Sequence, residues 1–254
     1  MYDTVVLKLL KEDIGDKYDW RSVFNKIDQT SEYKQVEGGS GHINGLRVSV
    51  TEKHVRVTGS LSKYFRGTNL DSLTLSQVEK AIKQLGKELG VPMIEADVER
   101  VDMAENFEMS RPPEFYISKM QSLGECYPNK WKGTTYFPSN GVLLRFYDKS
   151  KEVRKKRKNQ KNTPGAFSTS VEQNLLRYEI CFGKKAIRRM FGHQLKAKDL
   201  YDKDIFWRLV SEWLYSYDEI GIISDKLFDV SFEQIKTLSD FEEWCICCLL
   251  YTSD

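Results

Sequence analysis

The sequence predicts an α+β fold: a mostly antiparallel, curved sheet with helices packed on one face, followed by a helical C-terminal segment. Three observations carry this. The apolar patterns run strands, helix, strand, helix, paired strands, strand, then helices, an order that groups elements instead of alternating them. Two pairs of strand patterns are joined by short polar turns, so chain neighbours pair antiparallel. Neither a glycine-rich dinucleotide turn nor a GxxxxGK[ST] loop occurs, which argues against a doubly wound parallel sheet and against P-loop chemistry.

A first strand is predicted over 4–10. Residues 17–41 are polar and contain Gly-Gly-Ser-Gly, and read as loop. Residues 46–50 and 54–59 alternate apolar and polar positions around Thr51-Glu52-Lys53, as a hairpin does. Leu75, Val78, Ile82, Leu85 and Leu89 recur at helical spacing, and Gly90 with Pro92 ends that helix. A strand follows over 94–107, and Pro112-Pro113 opens a short helix. Residues 131–137 and 142–149 form a second hairpin around Pro138-Ser139-Asn140-Gly141, residues suited to a tight turn. Residues 175–182 form a further strand, and 202–217 and the stretch toward Trp244 are helical and aromatic-rich. The domain organisation expected is a main unit at 1–195 and a helical segment at 196–247. The last seven residues, from Cys248 to Asp254, back-translate to the end of a transposase-based sequencing adapter, so 248–254 is expected to be a scar.

Composition narrows the class. Apolar residues make up 40% and charged residues 30%, with 13 Tyr, 13 Phe and 5 Trp, enough to build a core and too apolar for a disordered chain. No apolar run approaches the roughly 18 residues of a membrane span, and the start lacks the pattern of a secretory signal. The five cysteines follow no zinc spacing and read as incidental or buried thiols in a reduced compartment. The net charge is only +2, yet residues 149–161 hold eight Lys/Arg against one Glu. One cationic arm on an acidic body suggests a local polyanion contact, and its polar continuation to Ser170 places it in a long loop.

Alternate side chains of a strand point to opposite faces. With Val101 and Met103 inward, Arg100 and Asp102 share the other face. With Leu144 and Phe146 inward, so do Arg145, Tyr147 and Lys149; with Leu176, Tyr178 and Ile180 inward, so do Arg177 and Glu179. Cross-strand Arg–carboxylate pairs also line ordinary exposed sheets. If the three strands are neighbours, however, the set suits phosphoryl transfer: carboxylates for Mg²⁺ or Mn²⁺, guanidiniums for a phosphate, and a phenol as nucleophile. Tyr136, on the adjacent hairpin strand, is a second candidate nucleophile.

Five blocks occur in an order that resembles the phage/plasmid replication proteins of the II/X family, the rolling-circle initiators of filamentous phages. They are MYDTVVLKL (1–9), TGSLSKYFRGTNL (58–70), ERVD (99–102), LRFYDK (144–149) and LRYE (176–179). The blocks also look like those of staphylococcal-type plasmid initiators. The resemblance spans roughly residues 1–185. It implies a site-specific single-strand DNA endonuclease and ligase that nicks the plus-strand origin of a phage or plasmid and forms a 5′-phosphotyrosine. It also implies host helicase and polymerase as partners, action in the cytoplasm of a bacterial host, and no membrane. Carried over, the nucleophile is Tyr147, with Tyr136 as the alternative, assisted by Arg145 and Lys149. Asp102 and Glu179 are the acidic metal positions, and Glu99, Asp97 or Asp148 is the third ligand, although strict alternation puts those three on the opposite face. The His-hydrophobe-His metal motif of other rolling-circle enzymes is absent. DNA contacts are expected from Arg100, Arg177, Lys151, Arg154, Lys155, Lys156, Arg157, Lys158, Lys63 and Arg66, with Tyr64 and Trp131 stacking on unpaired bases. The rivals are a non-catalytic origin-binding protein and a mobilisation relaxase.

Overall fold

The computed structural model describes residues 1–15, 18–34, 36–70, 72–159 and 174–222. Among them ten strands form one sheet. In chain order these are β1 (Tyr2–Leu10), β2 (Asp28–Glu32), β3 (Gly38–Ile43), β4 (Leu46–Thr51), β5 (His54–Ser60), β6 (Asp97–Met109), and then, after a short β7 (Met120–Leu123), β8 (Asn129–Trp131), β9 (Thr134–Ser139), β10 (Val142–Asp148) and β11 (Asn174–Gly183). The spatial order is β2-β3-β4-β5-β1-β6-β11-β10-β9-β8, and each neighbouring pair is antiparallel. Strand β7 pairs separately with β12 (Ile220–Ile222). The helices are α1 (Lys11–Ile14), α2 (Trp20–Phe24), α3 (Leu61–Arg66), α4 (Leu75–Leu89), α5 (Pro113–Ile117), α6 (Lys149–Asn159), α7 (Lys184–Phe191) and α8 (Lys203–Asp218). The α+β class and the antiparallel sheet are as the sequence predicts.

Helix α4 forms where its periodicity places it. Thr74 and Gln77 cap each other reciprocally at its start, and Val78, Ala81, Ile82, Leu85 and Leu89 are buried. They pack with Val5, Leu7, Val55 and Val57 in one core. The β9–β10 turn needs positive φ at two successive residues, and Asn140 (φ 39°) and Gly141 (φ 86°) supply it.

Two stretches depart from the sequence expectation. Residues 17–41 do not form a loop: they contain α2, β2 and β3. The glycines there are the reason for the strand, because β3 passes too close to its neighbours for side chains. A Cβ on Gly39 would meet the Phe24 ring at 2.5 Å, and one on Gly41 would run into the backbone oxygen of Asp28. Gly41→Ala is therefore expected to lower stability by about 2 kcal/mol, since a backbone oxygen cannot move aside; thermal melting against wild type checks this, and an unchanged melting temperature would contradict it. The second departure is the cationic arm. It begins as helix α6, with the Asp148 carboxylate accepting the backbone N–H of Lys151 at 3.1 Å. Its continuation over 160–173, the stretch toward Trp244, Cys245, Cys247 and Cys248, and the scar at 248–254 lie outside the described residues.

The strands that carry Arg145, Tyr147, Arg177 and Glu179 are fixed from behind by aromatic stacking. Phe146 and Tyr178 stack at 4.6 Å with rings 3° apart, and Tyr178 stacks on Trp213 of α8 at the same distance. The Tyr178 hydroxyl donates to the Trp213 carbonyl at 2.8 Å. Phe146 and Tyr178 each alternate along their strands with polar residues on the opposite face, so packing on one side sets the position of chemistry on the other.

Candidate active site

Strands β6, β11 and β10 are consecutive in the sheet. Register places Glu179 opposite Arg145 on one side and Ala104 on the other, and Arg177 opposite Tyr147 and Asn106. Asp102 is paired across β11 with Cys181. The polar residues of the three strands meet on the face away from α4 and α8.

Arg145 is the centre of the cluster. Its Nη2 donates to Asp102 Oδ2 at 2.9 Å and, closely, to Glu179 Oε1. Asp102 is fully buried and is held from its other side by Arg100, whose Nε and Nη2 reach its two oxygens at 2.7 and 2.6 Å. The Tyr147 hydroxyl lies 3.5 Å from Glu179 Oε2. Lys149, also buried, has its Nζ 6.0 Å from the Tyr147 ring centre and 2.8 Å from Glu152. Arg177, opposite Tyr147 in the register, has its Nε 3.8 Å from Glu179 Oε2.

Electrostatics follow from this burial. Glu179 is pushed up to about 7, chiefly by loss of solvent, with Asp102 and Asp3 adding to the rise and Arg145 opposing it. The Tyr147 phenol is also raised, first by burial and then by the Glu179 charge, with Arg177 acting the other way. The Cys181 thiol is pushed up to about 12 by burial and by Asp102. Two buried guanidinium nitrogens in the cluster, Nε of Arg145 and Nε of Arg177, have no hydrogen-bond partner. Buried donors of this kind are rare and point to a missing acceptor.

The third carboxylate in the cluster is one that strand alternation does not reveal. Asp3 of β1 pairs with Arg177 at 2.9 Å and is turned onto this face by an irregularity between Tyr2 and Val5 in the β1–β6 register. A second irregularity on the same pair, between Val6 and Leu7, makes Glu99 an extra residue of β6. This corrects the strict alternation that set Glu99 on the core face: its carboxylate instead joins Arg56 at 2.9 Å. Asp97 pairs with Lys196, and Asp148 serves the start of α6.

Among the described residues no three His, Cys, Asp or Glu side chains are grouped to hold a metal ion. The Mg²⁺ or Mn²⁺ expected from the sequence requires several oxygen ligands around one point. Between Asp102 and Glu179 that point is taken by Arg145 Nη2. The residues as arranged do not fit the ion, and a cation bridging these carboxylates would have to displace a guanidinium.

The remaining expected residues are spread more widely. Tyr136 lies opposite Arg145 on β9, one strand further out than Tyr147. Trp131 is exposed and falls in the cross-strand row Trp131, Thr134, Tyr147. Tyr64 is buried with its hydroxyl on Glu88, which corrects its expected role in base stacking. Arg66 binds Gln77 of α4, and Lys63 is near enough to Asp3 to help keep it ionised. Lys151 and Arg154 flank Asp148, with Lys151 also on Glu114, and Lys155 is exposed. Lys156, Arg157 and Lys158 belong to α6, but their side chains lie outside the described residues.

A family model for the N-terminal part of a phage replication-associated protein matches residues 1–213. The chain belongs to this family of phage replication proteins. The match covers the whole sheet and all three strands of the cluster, and extends into α8. No curated protein matches the chain. Membership makes this a phage rolling-circle replication protein that acts on origin DNA. The likeness to staphylococcal-type plasmid initiators rests on the strand patterns alone. Among the described residues no helix is long and apolar enough to cross a membrane.

Proposed function

We propose that this replication protein nicks and reseals one strand of the phage double-stranded origin, with Tyr147 as nucleophile. The observation that carries the reading is the convergence of Tyr147, Glu179, Arg145 and Arg177 on one sheet face, with two buried guanidinium N–H groups lacking acceptors. The phenol oxygen attacks the scissile phosphorus, forming a Tyr–O–P bond as the P–O3′ bond breaks. The phenol proton passes to Glu179 Oε2 and from that carboxyl to the departing 3′-oxygen, which leaves as a hydroxyl. The phosphodiester energy is kept in the phosphotyrosine, so the reverse step reseals the strand. Arg177 offsets charge on the phenol oxygen, and the unpaired Nε–H groups of Arg145 and Arg177 are suited to the non-bridging phosphate oxygens. Burial keeps Glu179 basic enough to take a proton near neutrality.

The test is incubation with a supercoiled plasmid carrying the origin. Open circles with protein attached to the 5′ end support the reading; tight origin binding with no covalent product would favour the non-catalytic rival. Basic α6, next to Tyr147 in sequence, supports a role in holding the DNA backbone. Arg154→Gln/Lys155→Gln is expected to weaken origin binding and to make the slope of log affinity against log salt shallower by up to about 2. Anisotropy titrations over a salt series read this, and an unchanged slope would remove α6 from the contact.

A further inference from the structure

We propose that Asp3 is a positioning residue for strand cutting: by holding the far end of Arg177, it keeps Glu179 available to Tyr147. The proposal rests on the Tyr147 chemistry above and extends it to a residue outside the three strands that supply that chemistry.

Both oxygens of the buried Asp3 carboxylate are engaged. Oδ2 accepts from Arg177 Nη2 at 2.9 Å; Oδ1 accepts from Ser60 Oγ at 2.9 Å and from Asn69 Nδ2 at 3.1 Å. The second terminal nitrogen of Arg177, Nη1, donates to Asn106 at 3.0 Å. Both ends of the guanidinium fork are thus drawn toward β1 and β6. Only Nε is left facing Glu179, at 3.8 Å and without a hydrogen bond.

That spacing is the informative feature. A buried guanidinium beside a buried carboxylate ordinarily closes to a two-bond pair at about 2.8 Å. Such a pair here would add two charged donors to a carboxylate that already accepts from Arg145, making Glu179 a weaker acceptor for the phenol proton. It would also consume the Nε–H that otherwise faces a phosphate oxygen. Asp3 prevents this by giving the cation a stronger partner on the far side. The effect is relayed outward, since Asn69 Oδ1 lies 3.5 Å from Lys149 Nζ. The blocks at 1–9 and 58–70, which contribute no group to the cutting step, therefore meet at Asp3: one supplies the carboxylate, the other Ser60 and Asn69.

The experiment compares wild type, Asp3→Asn, Arg177→Gln and the double variant for nicking of the origin plasmid, origin binding and thermal melting. The expected result is a fall of about tenfold or more in Asp3→Asn turnover with origin affinity within about twofold. The double variant should be no slower than Arg177→Gln alone, because the effect of Asp3 passes through Arg177. Asp3→Asn turnover within about twofold of wild type, or losses that multiply in the double variant, would overturn the proposal. If Asp3→Asn fails to fold, Asn69→Ala, which removes one anchor of the carboxylate, is read in the same way, and unchanged turnover there overturns it. A wild-type protein that forms no covalent adduct overturns the Tyr147 reading, and this proposal with it. Adduct formation with an indifferent Asp3 overturns this proposal alone.

Discussion

Tyr147→Phe is expected to abolish strand cutting, lowering the rate by on the order of 10⁴-fold or more, as loss of a nucleophile does. The substitution removes one oxygen and keeps the ring, which stands beside Lys149 and opposite Arg177 in the β10–β11 register. Among the described residues the hydrogen bond given up is the 3.5 Å contact to Glu179. Folding is therefore expected to change by less than about 1 kcal/mol, and origin binding to stay intact. Tyr136→Phe is the paired control. Its residue lies one strand further from Glu179, so cutting should stay within about threefold of wild type. Gel assays for nicked circles and for covalent protein–DNA product read both variants. Full activity in Tyr147→Phe would end the assignment.

Arg145→Met is expected to be the most destabilising change in the cluster. Among the described residues Arg145 is the cation paired with both Asp102 and Glu179, and both carboxylates are buried. Methionine fills much of the volume but leaves two negative groups facing one another, with the hydrogen bonds of Arg100 going to Asp102 and Arg177 Nε 3.8 Å from Glu179. Breaking a buried ionic network in this way costs about 3–5 kcal/mol, or a melting temperature lower by about 10 °C for a chain of this size. The loss should depend on pH, and its sign is fixed by Glu179. Burial raises this carboxyl to about 7 even with Arg145 present, so its charged form is the unfavourable one in the folded protein. Below its folded pKa Glu179 takes up a proton and the mutual repulsion disappears. Without Arg145 the carboxyl lies higher still, so the deficit of Arg145→Met relative to wild type should be largest near about pH 9 and shrink as pH falls to about 7, below which Glu179 is protonated in both proteins and the deficit levels off. Denaturation curves at the two ends of that range measure it. An equal deficit at both would mean that Asp102 and Glu179 do not repel each other across the space Arg145 occupies.

Most of the cluster was legible in the sequence because period-two alternation is a strong signal wherever one face is buried. Val101 and Met103, Leu144 and Phe146, and Tyr178 and Ile180 are all buried, and each pair brackets or adjoins a residue of the polar set. What alternation could not give was the effect of the bulges. The residues that β1 sends into the main core fall at 2, 5, 7 and 9, and those of β6 at 98, 101 and 103, each with one step of three. That extra residue turned Asp3 and Glu99 onto the polar face. The role of Arg145 was hidden for a different reason. Its strand position was correct, but which carboxylates a long flexible guanidinium joins depends on the three-dimensional neighbourhood. Strand β3 was missed because glycine weakens strand propensity in general, whereas here its small size is what lets Phe24 and Asp28 approach.

All of the chemistry proposed for the cluster requires that the phenol of Tyr147 become joined to the 5′ end of the cut strand. Trypsin digestion of the protein–DNA adduct followed by mass spectrometry reads this without an intermediate inference, because the two candidate tyrosines fall in different peptides. Cleavage after Arg145 and Lys149 gives Phe-Tyr-Asp-Lys for Tyr147; cleavage after Lys132 and Arg145 gives Gly-Thr-Thr-Tyr-Phe-Pro-Ser-Asn-Gly-Val-Leu-Leu-Arg for Tyr136. Nucleotide mass is expected on the tetrapeptide 146–149. Nucleotide mass on the peptide 133–145, or on any peptide without Tyr147, would contradict the assignment.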